Sequence, residues 1–412
     1  MDQSKKDILI IGYVWPETNA SAAGVRCWWL TTTLLRAGYR VHFASQAKSN
    51  EFSEKLRSLG VDVFPIGENL QAFDAWIESF SPGVTIFDRF LTEEKYGHRV
   101  RERVPECARI LDTCDLHFLR RAREKAFVSQ APLNLNTEDR LREIASIYRS
   151  DLSLIISDFE VKMLTQDFAL PTGLIAHLPF AYEVPEANLD FSKKLDFASI
   201  GNFRHAPNLD SVKWLARELW PAIRSGCPEA KLFIYGAYPP KEVMALANKN
   251  LGIQVEGFVP DQYEVLRKHR VSLAPLRFGA GLKGKIADSW FCGTPVISTS
   301  VGAEGMRDEH AWGGAIADDA ASFVQSAIRH YRDQKLWESS KFQGDRLLKA
   351  LFSAPEIAVR FLDALDQTQR SLSQIRAHNH VGEILWHHAH RSTTYFSKWI
   401  ELKSSLASPL QS

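Results

Sequence analysis

Residues 278–285, FGAGLKGK, place two lysines among three glycines. Glycines let a ligand approach the backbone closely, and lysines supply positive charge. The apolar segment VSLAPLR (271–277) precedes this loop and a helix-like segment follows it, so the loop connects a strand to a helix. The N–H groups at the start of a helix favour anions. The loop therefore predicts a site for phosphate or diphosphate, with a solvated basic turn as the alternative.

Five residues in and beside this loop are expected to meet the anion. Gly279 and Gly281 would do so through their backbone, and Lys283 and Lys285 through their ammonium groups. Arg277, at the end of the preceding strand, adds a planar guanidinium that suits phosphate oxygens.

The same glycines also fit a second motif. Gly279, Gly281 and Gly284 match GxGxxG, and Glu304 follows 20 residues later, as in dinucleotide-binding sites. That motif normally follows the first strand of its domain, whereas this loop follows the fourth. Two lysines also suit a diphosphate better than a nicotinamide cofactor. An NAD-dependent oxidoreductase is therefore a less favoured alternative.

Asp288 lies one turn into the helix after the loop. It is positioned either to reach a ribose hydroxyl or to pair with Lys285 at i,i+3.

The elements that must position these residues follow an α/β pattern. Apolar segments typical of strands alternate with helical segments, which predicts βαβ units and parallel sheets. The segment 181–194 interrupts the pattern and is interpreted as a linker. We expect two Rossmann-like domains, residues 1–185 and 190–352, with the helical residues 355–412 joining the first. The predicted strands are 7–15, 39–45, 61–67, 83–89, 108–113, 152–158, 173–180, 195–202, 230–237, 253–259, 271–277, 295–300 and 313–318.

Polar residues also follow strands of the first domain. Asp88 ends GVTIFD, and Asp115 with His117 follows ARILDT. Ligands bind outside the carboxyl ends of parallel strands, so we expect these side chains at a cleft. Asp115 or His117 would orient a hydroxyl of a second substrate, or Asp115 would only cap the next helix. Gly24 either lets a ligand approach the first helix or makes a tight turn.

Several segments resemble a known family in order and spacing. IGNFRHAPNLDSVKWL, KLFIYGA, VEGFVPD and VSLAPLRFGAGLKGKIADSWFCGTPVISTSVGAEGM resemble the C-terminal half of the group 1 glycosyltransferases of family four. GYVWPETNASAAGVR resembles their acceptor-side loop, and FDRF with ILDTCDLHFLR resembles a bacterial branch. The resemblance covers about residues 7–350. It implies the GT-B fold, in which two Rossmann-like domains face each other across a cleft.

The resemblance implies transfer of a sugar from a nucleotide-diphosphate sugar to a glycan or lipid-linked acceptor, with retained configuration. The donor would bind the C-terminal domain and the acceptor the N-terminal one. No metal and no cofactor are expected, because basic groups and a helix N-terminus hold the diphosphate. Lys285 and Arg277 would stabilise the leaving group, and the donor phosphate would accept the proton.

Three positions depart from the family pattern. Ala280 stands where the Glu-x7-Glu motif has its first glutamate, and Asp288 stands at the second. Asn202 replaces an arginine after the first strand of the donor domain, with Arg204 two residues on. We expect Asn202, Arg204 and Glu304 near the donor. The departures motivate an alternative, a catalytically impaired protein that binds nucleotide sugars or glycans.

Composition excludes some classes of function. The net charge of +1 over 412 residues gives no reason to expect nucleic acid as a partner. Five scattered cysteines without a CxxC pair indicate reduced thiols and no zinc site. The N-terminus lacks the pattern of a signal peptide, and no apolar segment is long enough to span a bilayer. We expect a cytoplasmic protein, and peripheral contact with the inner membrane surface stays open.

Overall fold

The computed structural model describes residues 6–183, 189–307 and 311–407, with the side chains of these ranges except 388–394, 401 and 404–407. Its first sheet has seven parallel strands in the order β3-β2-β1-β4-β5-β6-β7. These strands are β1 (Asp7–Gly12), β2 (Arg40–Ser45), β3 (Asp62–Pro65), β4 (Val84–Asp88), β5 (Ala108–Asp112), β6 (Leu152–Ile155) and β7 (Ile175–His177). The helices around it are α1 (Ala22–Arg36), α2 (Glu51–Ser58), α3 (Leu70–Phe80), α4 (Phe90–Arg103), α5 (His117–Ser129), α6 (Glu138–Arg149) and α7 (Asp158–Lys162).

The second sheet has six parallel strands in the order β10-β9-β8-β11-β12-β13. These strands are β8 (Leu195–Ile200), β9 (Leu232–Tyr235), β10 (Ile253–Gly257), β11 (His269–Ala274), β12 (Val296–Ser298) and β13 (Gly314–Ile316). Its helices are α8 (Ala206–Trp214), α9 (Trp220–Gly226), α10 (Lys241–Met244), α11 (Gln262–Leu266), α12 (Gly284–Phe291), α13 (Ser300–Ala303), α14 (Ala320–Arg332) and α15 (Gln334–Phe352). The predicted architecture of two tandem Rossmann-like sheets is confirmed.

Strand β1 shows why some strands are shorter than predicted. All six of its residues are buried between the helical layers. The chain turns after Gly12, where the backbone N–H of Tyr13 donates to Asp88 Oδ2 at 3.0 Å. Trp15 is buried, and its indole N–H donates to the carbonyls of Ala47 and Lys48. Trp15 is apolar because it fills this turn, so the apolar character of residues 13–15 does not extend the strand.

The chain returns to the first sheet after α15. Tyr182 N donates to Phe352 O at 2.7 Å, and Ala354 N donates to Tyr182 O at 2.9 Å. Three further helices follow: α16 (Ala354–Arg370), α17 (Leu372–His378) and α18 (His380–Ala407). Helix α16 buries Ile357, Phe361 and Leu365 in the core of the first sheet. Part of the predicted linker, residues 184–188, lies outside the described residues.

The order of the strands fixes where a ligand can bind. The direction of strand addition reverses between β1 and β4 in the first sheet and between β8 and β11 in the second. The crevice of an open parallel sheet opens at such a reversal, outside the carboxyl ends of the strands. Among the described residues, no helix is both long and apolar enough to cross a membrane.

Candidate functional site

A cleft lies where the carboxyl ends of the two sheets meet. The residues that follow β1, β4 and β5 form one wall, and those that follow β8, β9 and β11 form the other. Polar and charged residues from both domains line this cleft: Arg26, Arg89, Asp115, His117, Arg120, Asn202, His205, Asn208, Lys283, Lys285 and Asp288.

The loop 279–283 approaches the first domain closely. Gly281 has a φ of +62°, and a Cβ added there would lie 2.7 Å from Asp115 Cβ. Any larger residue would therefore meet the first domain and adopt a strained backbone. Gly279 lines the cleft as predicted, whereas Gly281 serves the approach of the two domains.

Lys285 is the side chain of this loop that remains available for an anion. It is the second residue of α12, a helix whose N-cap, Lys283, makes no side-chain capping bond. Its Nζ donates to Asn208 Oδ1 at 2.6 Å, and burial lowers its pKa to about 7. No carboxylate forms an ion pair with Lys285 among the described residues. The absence of a side chain at Gly201 leaves room for the Lys285 ammonium group, because a Cβ there would lie 3.0 Å from Lys285 Nζ.

Lys283 has a different environment. Its Nζ donates to Gly281 O at 2.7 Å, so the side chain folds back on its own loop. Burial lowers its pKa to about 8, while the charges of Glu304 and Glu160 oppose that shift. Lys283 therefore holds the loop in shape and adds positive charge beneath it.

Asp288 lines the cleft one turn into α12. Its Oδ1 accepts from Tyr182 Oη at 2.8 Å and its Oδ2 from Gln262 Nε2 at 3.2 Å. Burial raises the pKa of this carboxyl to about 7. The alternative of an ion pair with Lys285 is wrong, because Tyr182 and Gln262 are the partners of Asp288.

The first domain contributes a histidine held by charged neighbours. His117 Nε2 lies 3.3 Å from Asp115 Oδ1, and Arg120 Nε donates to Asp115 Oδ2 at 2.6 Å. Burial opposes ionisation of Asp115, but Arg120 and His117 outweigh it and hold the pKa well below its usual range. The other ring nitrogen, His117 Nδ1, has no hydrogen-bond partner among the described residues.

The predicted capping role of Asp115 is wrong. Helix α5 begins at His117, with Leu116 at the N-cap and no side-chain cap. The free N–H groups of His117 and Phe118 instead donate to the buried carboxylate of Glu143, at 3.1 and 3.0 Å. Asp115 is therefore left to hold His117 and Arg120.

Four residues predicted to contact a ligand do not line the cleft. Arg277 makes a two-pronged pair with Asp210, at 2.8 and 2.5 Å. Glu304 accepts two bonds from Arg123, at 2.7 and 2.8 Å. The guanidinium of Arg204 lies 3.5 Å from the centre of the Tyr238 ring. Gly24 N donates to Ser21 Oγ, and a Cβ added at Gly24 would lie 2.2 Å from Glu17 O.

The misplacements of Arg277 and Glu304 share a cause. Asp210 is 67 residues from Arg277, and Arg123 is 181 residues from Glu304. A sequence pattern gives the charge of a side chain but not its distant partner. Within each pair the two charges cancel, so neither pair offers a net positive charge to an anion.

Asn202 connects the two domains. Its Nδ2 donates to Ala20 O at 2.9 Å, and its Oδ1 accepts from Arg204 N at 2.9 Å. It lines the cleft as expected, but its side chain is already engaged with the backbone of both domains.

Sequence reasoning missed several residues of the cleft. The sequence predicts Asp88 at the cleft after β4, yet the cleft side chain is its neighbour Arg89, which has a φ of +71°. Arg26 pairs with Asp112 at 2.8 Å below the same wall. The dipeptide DR at a strand end was the available signal for Arg89. Nothing in the local sequence distinguished Arg26 from other helical arginines.

Glu160 lies in the first turn of α7 and is fully buried. Its Oε1 accepts from Gly281 N at 2.8 Å and from Leu116 N at 3.1 Å. Its Oε2 has no hydrogen-bond partner among the described residues. Burial and the nearby charge of Asp115 raise its pKa to about 7.

Comparison with known proteins agrees with the resemblance seen in the sequence. A family model described as "Glycosyl transferases group 1" matches residues 194–333. These residues contain the strands β8–β13 and the loop of Lys285. No curated protein matches the sequence significantly.

Solved structures of low sequence identity share the fold. Sucrose-phosphate synthase from Thermosynechococcus elongatus is 17% identical, with a TM-score of 0.68 over 88% of this chain and 99% of that one. The pneumococcal O-GlcNAc transferase GtfA, in complex with UDP and GlcNAc, is 11% identical, with a TM-score of 0.66 over 88% and 99%. Anabaena HepE, in complex with UDP-glucose, is 11% identical, with a TM-score of 0.65 over 88% and 99%. The two-domain arrangement is the GT-B fold.

Proposed function

We propose that this protein transfers a sugar from a nucleotide-diphosphate sugar to a glycan or lipid-linked acceptor, because residues 194–333 match the family model described as "Glycosyl transferases group 1". The proposed transfer retains the anomeric configuration and uses no metal ion. One observation carries the proposal. The ammonium group of Lys285 lines the cleft beside the uncapped start of α12 and has no carboxylate partner among the described residues.

In this proposal the diphosphate of the donor binds at the start of α12. The N–H groups of the first turn and the Lys285 ammonium would meet the charge that develops as the sugar leaves. Fixed donors in a water-poor cleft stabilise that charge more than water does. Asp288, oriented by Tyr182 and Gln262, would accept a hydrogen bond from a hydroxyl of the donor.

The acceptor would bind against the first domain. His117 and Asp115 both line the cleft, and Asp115 holds His117 through Nε2. This arrangement suits a hydroxyl that must be oriented toward the donor sugar. The donor phosphate would accept the proton of that hydroxyl.

The donor is tested by calorimetric titration with UDP, GDP, ADP and NAD, with and without EDTA. HepE and GtfA are described with UDP, so UDP is the first donor base to test. We expect saturable binding of one nucleoside diphosphate that EDTA leaves unchanged. Lys285→Ala should weaken it at least tenfold, since a charged hydrogen bond contributes about 1.5–3 kcal/mol. Lys249→Ala, an exposed lysine of the same domain, is the control.

A second candidate is a GT-B protein that binds the donor but does not transfer the sugar. Ala280 and Asn202 favour it, since Asn202 is committed to Ala20 O and Arg204. Release of the nucleoside diphosphate from the matching sugar nucleotide separates the two candidates. Binding without release would leave only the binding function. Binding of NAD alone would overturn both, although Arg123 already occupies the Glu304 carboxylate that a ribose would need.

A further inference from the structure

The second half of α18 has an exposed aromatic face. Tyr395, Phe396 and Trp399 are 72%, 60% and 54% exposed. Tyr395, Trp399 and Leu402 follow a spacing of four and three residues, and Phe396, Ile400 and Lys403 follow the same spacing in the adjacent row. Residues three or four apart share one face of a helix. The two rows therefore form one surface, which we call the aromatic face.

The first half of α18 is fixed to the first domain by the side that bears Gly382 and Trp386. Trp386 is buried, and its indole donates to Arg149 O at 2.9 Å. Gly382 lies so close to Tyr148 O that an added Cβ would be 2.2 Å away. Val381 and Ile384 are exposed and lie on the same stripe as Tyr395 and Trp399, by helical spacing. A helix held on one side thus presents an apolar stripe on the other.

Positive charge lies within this face and beside it. Lys403 continues the row of Phe396 and Ile400, and its Nζ lies 5.0 Å from the centre of the Trp399 ring. Residues 391–403 contain three basic residues and one acidic residue. Burying Lys403 in a protein interface would require a matched carboxylate there. At a bilayer the same ammonium group reaches lipid phosphates while its stem and the aromatic rings lie among the acyl chains.

We propose that the aromatic face of α18 binds the surface of an anionic lipid bilayer. Its tryptophan and tyrosine suit the boundary between headgroups and hydrocarbon, where such side chains are enriched. The helix would lie in that boundary and not cross it, in keeping with its polar opposite side. This proposal does not rest on glycosyl transfer, because it concerns a surface remote in sequence from the cleft residues.

Vesicle co-sedimentation of the full chain tests the proposal. The vesicles contain phosphatidylcholine alone or phosphatidylcholine with phosphatidylglycerol. We expect the protein to sediment with the anionic vesicles, less at high salt, and weakly with neutral ones. Replacing Phe396 and Trp399 together with serine should weaken binding more than about tenfold. Lys403→Glu should weaken it about tenfold.

Two controls match these changes. Phe342→Ser removes a 59% exposed aromatic residue from α15, and Lys249→Glu reverses an exposed charge in the second domain. Both should leave vesicle binding unchanged. The proposal is overturned if the wild type stays in the supernatant with anionic vesicles, or if the controls weaken binding as much as the α18 variants. A dimer in sedimentation velocity that the Phe396/Trp399 variant abolishes, without lipid binding, would assign the face to a second copy instead.

Discussion

The chemistry of the cleft depends on lysines that are buried but differ in their partners. Lys283 donates to the carbonyl of its own loop, whereas Lys285 donates only to the neutral amide of Asn208. Burial disfavours the charged form of both side chains and lowers their pKa. An anion at the start of α12 would restore the charged form of Lys285, so ligand binding and proton binding are linked.

This linkage predicts that nucleoside diphosphate affinity falls as the pH rises. The pKa of Lys285 is about 7, and a bound diphosphate must raise it. Affinity should then be highest below pH 7 and fall by up to about tenfold per unit above it, with proton uptake on binding. Calorimetry between pH 7 and 9, in buffers of different ionisation enthalpy, measures both effects. The phosphate itself is almost fully ionised in that range. Lys285→Met should remove most of the pH slope; a slope unchanged in this variant would assign it to another group.

Glu160 predicts a second pH effect, on stability. Its pKa is raised to about 7, so the folded state binds more protons than the unfolded state between about pH 4.5 and 7. Stability should therefore fall across that window as the pH rises. Glu160→Gln can still accept from Gly281 N and Leu116 N, and it removes the buried charge. We expect it to unfold at higher urea than the wild type at pH 8 and to match the wild type near pH 4.

Glu160→Ala serves as the contrast. It would leave the N–H groups of Gly281 and Leu116 without their acceptor, at about 1–3 kcal/mol for each. Its free energy of unfolding should drop at both pH values. If the Gln and Ala variants behaved alike, the two backbone hydrogen bonds would not be the function of this side chain.

At the scale of elements, α16 belongs energetically to the first domain although it follows the second in sequence. Its N-terminus is joined to the interdomain segment through the Tyr182 backbone. Its apolar residues Ile357, Phe361 and Leu365 then complete the core beside α1, where Phe361 lies 6.1 Å from the ring centre of Trp29. The first sheet is thus covered by a helix that follows the second domain in sequence.

Phe361→Ala is predicted to destabilise the first domain. The side chain is fully buried, and its removal leaves a cavity that should cost about 3–5 kcal/mol in the free energy of unfolding. Val359→Ala, on the exposed side of the same helix, should change it by less than about 0.5 kcal/mol. Urea denaturation followed by circular dichroism measures both. Equal effects of the two substitutions would show that α16 does not contribute its buried face to this core.

At the scale of the whole molecule, contacts between the domains converge on the glycine loop. Arg123 of α5 donates to Gly279 O at 2.8 Å and holds Glu304 with both prongs of its guanidinium. Glu160 holds Gly281 from the same side. The loop that would bind the diphosphate is therefore shaped by residues of the other domain, which couples closure of the cleft to the geometry of the donor site.

Arg123→Ala is predicted to open the cleft. Loss of the two-pronged ion pair and the bond to Gly279 O should increase the radius of gyration in X-ray scattering. It should also weaken nucleoside diphosphate binding by about 1–3 kcal/mol, which corresponds to roughly 5- to 150-fold. Arg121→Ala, two residues away, breaks only an exposed pair with Asp139 inside the first domain and should do neither. An unchanged radius with Arg123→Ala would show that other contacts keep the domains together.

The sequence by itself determined the two parallel sheets and the position of the glycine loop. Strand periodicity is local, and it places the GLKGK segment between a strand and a helix. Lys285, Lys283, Gly279, Asp288 and Asn202 lie in the cleft as their order along the chain predicted. In the first domain, Asp115 and His117 do so as well.

Only the tertiary structure decided which charges remain available. Arg277 and Glu304 have the right chemistry and the right place in the chain, yet Asp210 and Arg123 neutralise them. Only the structure shows that Glu160 accepts from Gly281 of the other domain and that Arg89 lines the cleft. Electrostatic partners are chosen by distance in space, and a pairing across 67 or 181 residues leaves no local pattern, whereas the hydrophobic repeat of a strand is complete within a few residues.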